Sequence, residues 1–151
     1  MDEFSMKLNN LLVETYRNVS RLEEMVIKKA SKINLSISEI HVIDSISKGE
    51  KNLKTISDIA TDLQITLPSV TIAVNKLVNK GYLIKHKSRQ DARIVYVGLT
   101  KGGKKIELAH RYFHKRLTMA LVSQLTSEEK RVMLSGINKL VEFFNSKILE
   151  D

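Results

Sequence analysis

The chain contains four histidines and no cysteine, and two of the histidines, His110 and His114, lie four apart in the stretch "AHRYFHKR". Residues at that spacing share one face of an α-helix, so the two imidazoles could chelate one metal ion. A third histidine, His41, and a carboxylate would complete the tetrahedral N/O set that Zn(II) takes. Glu24 and its neighbour Glu23, in a stretch with helical spacing, are the candidate carboxylates, which gives Glu24, His41, His110 and His114 as a metal set. The same imidazoles serve equally well as half-buried packing residues with satisfied nitrogens, because His110 and His114 lie one step off the apolar stripe Ile106, Ala109, Phe113 and Leu117. A third role is that of effector contact or conformational switch, and it applies to His41, His110 and His114 alike. The sequence leaves all three open. His86, between two lysines, is expected to face solvent or phosphate.

No catalytic set accompanies these residues. "KGGK" opens a helical stretch without the spacing of a phosphate-binding loop, and no serine stands with a base and an oxyanion arrangement. Without cysteine there are no disulfides, thiolate ligands or thiol switches. The expectation is a protein that is not an enzyme.

At 151 residues the chain is long enough to bury a core. Its 42% hydrophobic content with 5% aromatics indicates helices packed by Leu, Ile and Val. No run reaches the roughly 18 apolar residues of a membrane span, and "MDEFSMKLNN" lacks the apolar centre of a secretory signal. A cytoplasmic location is expected. The net charge of +8 is concentrated: residues 54–105 hold ten Lys/Arg against three acids, a net of +7, and the remainder is nearly neutral. A basic segment of that kind suits a polyanion, most often a nucleic acid.

The elements that position these groups follow from periodicity. Phe4, Leu8, Leu11, Leu12, Thr15, Val19, Leu22 and Val26 recur at steps of three and four, which predicts a long helix over residues 4–30. Ile40, Ile43 and Ile46 predict a second helix that starts after Ser36 and Ser38 and ends at Gly49. Ile56, Ile59, Ala60 and Leu63, then Val70, Ala73, Val74 and Leu77, repeat one spacing in two short helices separated by "QIT". Thr66 can cap the second of these, Pro68 is tolerated in its first turn, and Gly81 closes it. "YLIKHK" and "RIVYVGL" then shift to β-branched and aromatic residues around "SRQD", a two-stranded hairpin with a charged tip. From Thr100 the chain returns to helix, through Ile106 to Leu121 and, after a capping box in "LTSEEK", through Met133 to Ile148. The terminal helices carry more apolar face than a small central lobe covers, so they should pack on each other and on a second subunit.

Residues 55–83 therefore have helix-turn-helix organisation. The second helix leaves Ser69, Thr71, Ile72, Asn75, Lys76 and Asn79 outward, short groups on a rod that fits a DNA major groove. Asn75 can pair bidentately with adenine, and the Thr71 and Ile72 methyls can touch a thymine methyl. Thr66 and Ser69 lie at the helix N-terminus, where free N–H groups welcome a phosphate. Arg89 and Arg93 flank the hairpin tip and can reach a narrow minor groove, with Asp91 holding a neighbouring cation in place. A winged-helix module that binds protein instead of DNA is the competing class, and the basic helix and wing argue against it.

The stretch "LVNKGYLIKHKSRQDARIVYVGLTKGG" resembles the wing region of MarR-family transcription regulators, with a glycine after the recognition helix, a D-x-R at the wing and a strand ending L-T-x-x-G. The helix-turn-helix and long terminal helices extend that resemblance over almost the whole chain. It implies a mainly α fold with a small β-wing: a winged helix-turn-helix lobe at 35–105, and dimerisation helices at 1–34 and 106–151 that intertwine in a homodimer on a palindromic operator. The family often carries arginine at the middle of D-x-R, where this chain has Ala92; Arg89 can supply that contact.

"SISEIHVIDSI", "ITLPSVTIAVNKLVNKGY", "QDARIVYVGLTKGGKKI" and "HRYFHKRL" are similar to the family's fatty-acid-biosynthesis repressors. That similarity implies control of membrane-lipid synthesis genes with acyl-acyl-carrier-protein as co-repressor. The histidines also resemble those of zinc-responsive members, which take one Glu from the first helix, one His from the second and two from the fifth. Either effector would act at His41, His110 and His114, below the DNA-binding lobe where MarR-family proteins keep their effector pockets.

Overall fold

The structure, a computed structural model, describes residues 1–30, 35–88, 91 and 93–150. Among the described residues six α-helices, a 3-10 turn (Glu50–Asn52) between α2 and β1, and three strands follow in the order α1 (Glu3–Ala30), α2 (Ile37–Ser47), β1 (Leu53–Thr55), α3 (Ile56–Leu63), α4 (Leu67–Asn79), β2 (Leu83–Lys87), β3 (Val95–Leu99), α5 (Lys101–Val122) and α6 (Ser127–Glu150). Among the described residues, no helix is long and apolar enough to cross a membrane. The chain divides into two compact units, Met1–Phe113 and His114–Asp151, with α5 running from the first into the second.

Local chemistry fixes the helix ends. Ser36 accepts the Glu39 N–H while Glu39 accepts the Ser36 N–H, a capping box that starts α2. Thr55 and Asp58 make the same reciprocal pair for α3, and Thr66 accepts the Ser69 N–H to start α4. Gln64 ends α3 in the left-handed region at φ 53°, and Gly81 follows α4 at φ 78°, a conformation only glycine adopts without strain.

In the first unit the core lies between helices and sheet. Ile40, Ile43 and Ile46 of α2, Ile59 of α3, Val70, Val74 and Leu77 of α4, Val97 of β3 and Ile106 of α5 are all essentially inaccessible to solvent. Burying each such side chain stabilises the lobe by about 1.5–3 kcal/mol. Ile27 near the end of α1 joins this core, so the first helix is anchored to the lobe.

The expected hairpin is part of a larger sheet. Three antiparallel strands lie in the order β1-β3-β2, with Leu53 opposite Gly98 and Leu83 opposite Leu99. Gly98 permits the third strand, because a β-carbon there would lie 2.8 Å from the Leu53 side chain. At the start of α5 the approach is closer still. A β-carbon on Gly103 would lie 2.3 Å from the Tyr82 carbonyl oxygen, and the Thr100 hydroxyl reaches the carbonyls of Gly81 and Tyr82 at 2.7 and 3.1 Å. The first turn of α5 is thus clamped to the loop that ends α4.

Polar groups cross-link the lobe. Asp62 of α3 accepts from Ser45 Oγ of α2 at 2.6 Å and from Lys54 Nζ of β1 at 2.9 Å. Lys80, just past α4, donates to both carboxylate oxygens of Glu39 on α2 at 2.8 Å. Among the described residues, no buried side-chain nitrogen or oxygen lacks a hydrogen-bond partner.

The second unit holds the C-terminal part of α5 and α6. Thr126 and Glu129 cap α6 reciprocally, as "LTSEEK" predicts. Leu121, Val122, Leu125, Met133, Leu134 and Ile137 line an apolar cleft of about 330 Å³. None of the described α6 residues is buried.

Candidate functional site

The outward face of α4 carries the residues singled out from sequence. Thr66, Ser69, Ile72, Asn75 and Lys76 are exposed and Thr71 is half-buried. The Thr66 and Ser69 hydroxyls bond each other at 2.9 Å, so the helix N-terminus presents a paired hydroxyl edge. Thr71 turns its hydroxyl back onto the Leu67 carbonyl at 2.8 Å. Ile72 is 57% exposed on the same rod.

Two neighbours of this face escape a periodicity search. Leu67, in the first turn, is 51% exposed and adds an apolar group beside the capping hydroxyls. Lys85 of β2 donates to Asn75 Oδ1 at 2.7 Å. Side chains alternate along a strand, so Lys85 shares a face with Leu83, which is buried against the lobe, but that alternation does not point to Asn75.

The wing is held by its own backbone. Asp91 Oδ1 accepts the Arg93 main-chain N–H at 2.9 Å, and the Asp91 N–H donates to Ser88 Oγ at 3.3 Å. Asp91 therefore orients Arg93 through the main chain, a local Asx-type turn, with Arg93 itself exposed. Arg89 and Ala92 lie outside the described residues.

Ionised acids hold the lobe beneath this surface. Burial pushes Glu39 upward, but the hydrogen bonds from Lys80 and the Ser36 N–H, with the charges of Lys80 and Lys76, outweigh it and leave the carboxyl below its ordinary value. The hydrogen bonds from Ser45 and Lys54 likewise hold Asp62 low against the effect of burial.

A second cluster lies where α1, α2 and α5 meet. His110 Nε2 is 3.0 Å from Glu23 Oε1, and both side chains are buried. The His41 ring centroid is 6.2 Å from that of His110. His110 Nδ1 faces Asp44 Oδ1 at 4.0 Å. One ligand atom each from Glu23, His41 and His110 falls within 4.8 Å of the others. On a tetrahedral zinc with bonds of about 2.0–2.1 Å such atoms stand roughly 3.3 Å apart, so this donor set would have to draw closer to share one ion.

The structure brings His41 and His110 together but pairs them with Glu23, while Glu24 is exposed. The reason is helical phase. Glu23 precedes the buried Ile27 by one turn and shares its face, whereas the stripe through Leu22 and Val26 runs beside that face. His114 is exposed one turn beyond His110 and is not a member of this three-residue group.

Beside the cluster, Asp44, Ser47, Lys48, Leu99, Lys104 and Arg111 help line a cleft of about 520 Å³. Its charges are partly self-paired, Lys48 with Asp44 at 2.7 Å and Arg111 with Glu107 at 3.2 Å.

Comparison with known proteins places the chain in a family. Residues 24–108 match the family model described as transcriptional regulator SarA/Rot. The crystal structure of Streptococcus pneumoniae FabT in complex with DNA is similar at a TM-score of 0.87 and 34% identity, covering 94% of this chain and 98% of that one. The HTH-type transcriptional regulator YhjH of Bacillus subtilis is 28% identical over 72% of this chain, and the match spans 62% of that protein, less than two thirds of its length. Transcriptional regulator AdcR of Streptococcus pneumoniae is 28% identical over 93% of this chain and 97% of its own.

Proposed function

Because the chain belongs to the SarA/Rot family of transcriptional regulators, with a MarR-like winged-helix fold, we propose that it binds a palindromic DNA operator as a homodimer and represses transcription there. The observation that carries this reading is the exposed face of α4, where Ser69, Ile72, Asn75 and Lys76 stand clear of the lobe beside a wing that presents Arg93. α4 enters the major groove, Thr66 and Ser69 meet a phosphate at its N-terminus, and Arg93, with Arg89, reaches the adjacent minor groove. The exposed apolar residues of α1 and α6 supply surface for a second copy.

The likeness to FabT, found in complex with DNA and 34% identical, supports a finer reading. The regulated genes are those of fatty-acid and membrane-lipid synthesis, and acyl-acyl-carrier-protein is the co-repressor. The signal reaches α4 through His41 and His110, with His114 one turn further along α5.

Selection from a randomised duplex pool tests the DNA reading and should enrich an inverted repeat. Binding to it should weaken steeply with salt, and Arg93→Ala should lower the salt slope by about one. An unchanged slope refutes the Arg93 contact, and no enrichment refutes the whole. Titration of long-chain acyl-acyl-carrier-protein against the operator complex then tests the effector and should tighten it.

One observation favours a second effector. Glu23, His41 and His110, the first and last buried and His41 exposed, form an N/O donor set suited to Zn(II), which would fix the relative placement of α1, α2 and α5. Metal analysis of the purified protein and of His110→Ala separates the two. Zinc bound by the wild type and lost in the variant supports the metal; no zinc and no zinc effect on operator affinity removes it.

A further inference from the structure

We propose that Lys85 sets the base specificity of Asn75, converting it from a reader of adenine to a reader of guanine. This deepens the DNA-binding reading and rests on it. Asn75 stands on the exposed face of α4, and Lys85 Nζ lies 2.7 Å from its Oδ1. An ammonium only donates, so the amide atom that faces it is the oxygen.

The consequence follows from what each base displays. Adenine offers N7 as acceptor and N6–H₂ as donor, so a bidentate asparagine must use both its NH₂ and its oxygen. Here one of the two lone pairs of that oxygen is taken by a charged donor, a stronger bond than a neutral one, which ties the oxygen to Lys85 and disfavours its coplanar pairing with adenine N6–H₂. The Asn75 NH₂ and the other two N–H groups of Lys85 add donors, so donors outnumber the one remaining lone pair. Guanine displays two acceptors on its major-groove edge, N7 and O6, and is the base such a pair fits.

The strand holds Lys85 in place. Lys85 pairs with Val97 of β3, and Leu83 two residues earlier is buried. Alternation therefore puts the Lys85 side chain on the same face as Leu83. His86 lies on the opposite face, with its ring about 3.5 Å from where a β-carbon on Gly98 would sit. The wing strand thus contributes to base reading in the major groove, in addition to any contact its tip makes.

The test is selection of bound duplexes from a randomised pool by the wild-type protein and by Asn75→Ala, Lys85→Met and Lys85→Arg. The position read by Asn75 is the one whose preference Asn75→Ala flattens. At that position the wild type and Lys85→Arg should prefer guanine over adenine by about tenfold. A 7-deazaguanine there, which lacks the N7 acceptor, should weaken wild-type binding severalfold. Lys85→Met, which frees the amide oxygen, should move the preference to adenine. The proposal is overturned if the wild type prefers adenine, if Asn75→Ala flattens no position, or if Lys85→Met weakens all sequences equally, the signature of a phosphate contact. If the wild type enriches no duplex, the DNA-binding reading falls and takes this one with it; adenine at an enriched site overturns this one alone.

Discussion

The lobe around α4 and the helix α6 are built from the same kinds of residue but meet solvent in opposite ways. Leu77 of α4 is fully buried, whereas Leu134 of α6 is 64% exposed. Val132, Val141, Phe143 and Ile148 of α6 are exposed as well. The lobe closes its core within one chain and cross-links it with Lys54–Asp62–Ser45 and Lys80–Glu39. The contrast separates two placements of apolar residues: in α4 they are buried and fix where the outward polar groups stand, and in α6 they lie exposed, as a surface for the proposed second copy would.

The sharpest way to break that contrast is a matched pair of truncations. Leu77→Ala should cost about 2–5 kcal/mol in urea unfolding. Leu134→Ala should cost less than about 0.5 kcal/mol in a single chain, and a larger loss that varies with protein concentration would show its face covered in solution. Next in size, Leu134→Lys with Val141→Lys should shift a dimer toward monomer in sedimentation while leaving the lobe folded. An unchanged sedimentation coefficient would place the interface elsewhere.

The ionic cross-links sharpen the comparison further. Glu39 titrates below its ordinary value of about 4.5 in the folded lobe. Its contribution is therefore full above that value and lost as pH falls through the lower, folded one. Glu39→Gln should cost about 1–2 kcal/mol near pH 7, and the gap to wild type should close in acid. A gap independent of pH would show that the Lys80 pair contributes nothing. One effect should be shared by both regions. Thr55→Ala and Thr126→Ala each remove one half of a capping box and should cost about 1 kcal/mol in thermal unfolding, whatever the surroundings.

Much of this organisation is legible in the residues. The i, i+3, i+4 spacing of Ile56 to Leu77 gives both short helices, and Thr66 and Gly81 mark the ends of α4, and "LTSEEK" the start of α6, by chemistry that needs no tertiary context. What was not legible depends on distant partners. β1 has only three residues and no alternation to read, and it exists because β3 and Gly98 accept it some 40 residues later. The choice of Glu23 over Glu24 turns on a helical phase that Ile27 reveals only once its burial is known. The grip of Lys85 on Asn75 joins a strand to a helix across a turn, and no pattern within either element announces it.

The missing β-carbon of Gly103 has a mechanical consequence. With its first turn locked under Tyr82 and Thr100, α5 has no slack joint at the end nearest α4. His110 sits about 10 Å further along the same rod. A push on that imidazole therefore cannot be absorbed by sliding. If an effector acts at His110, as proposed above, the displacement is carried along the helix to the turn at Gly81, where the Thr100 hydroxyl ties it down.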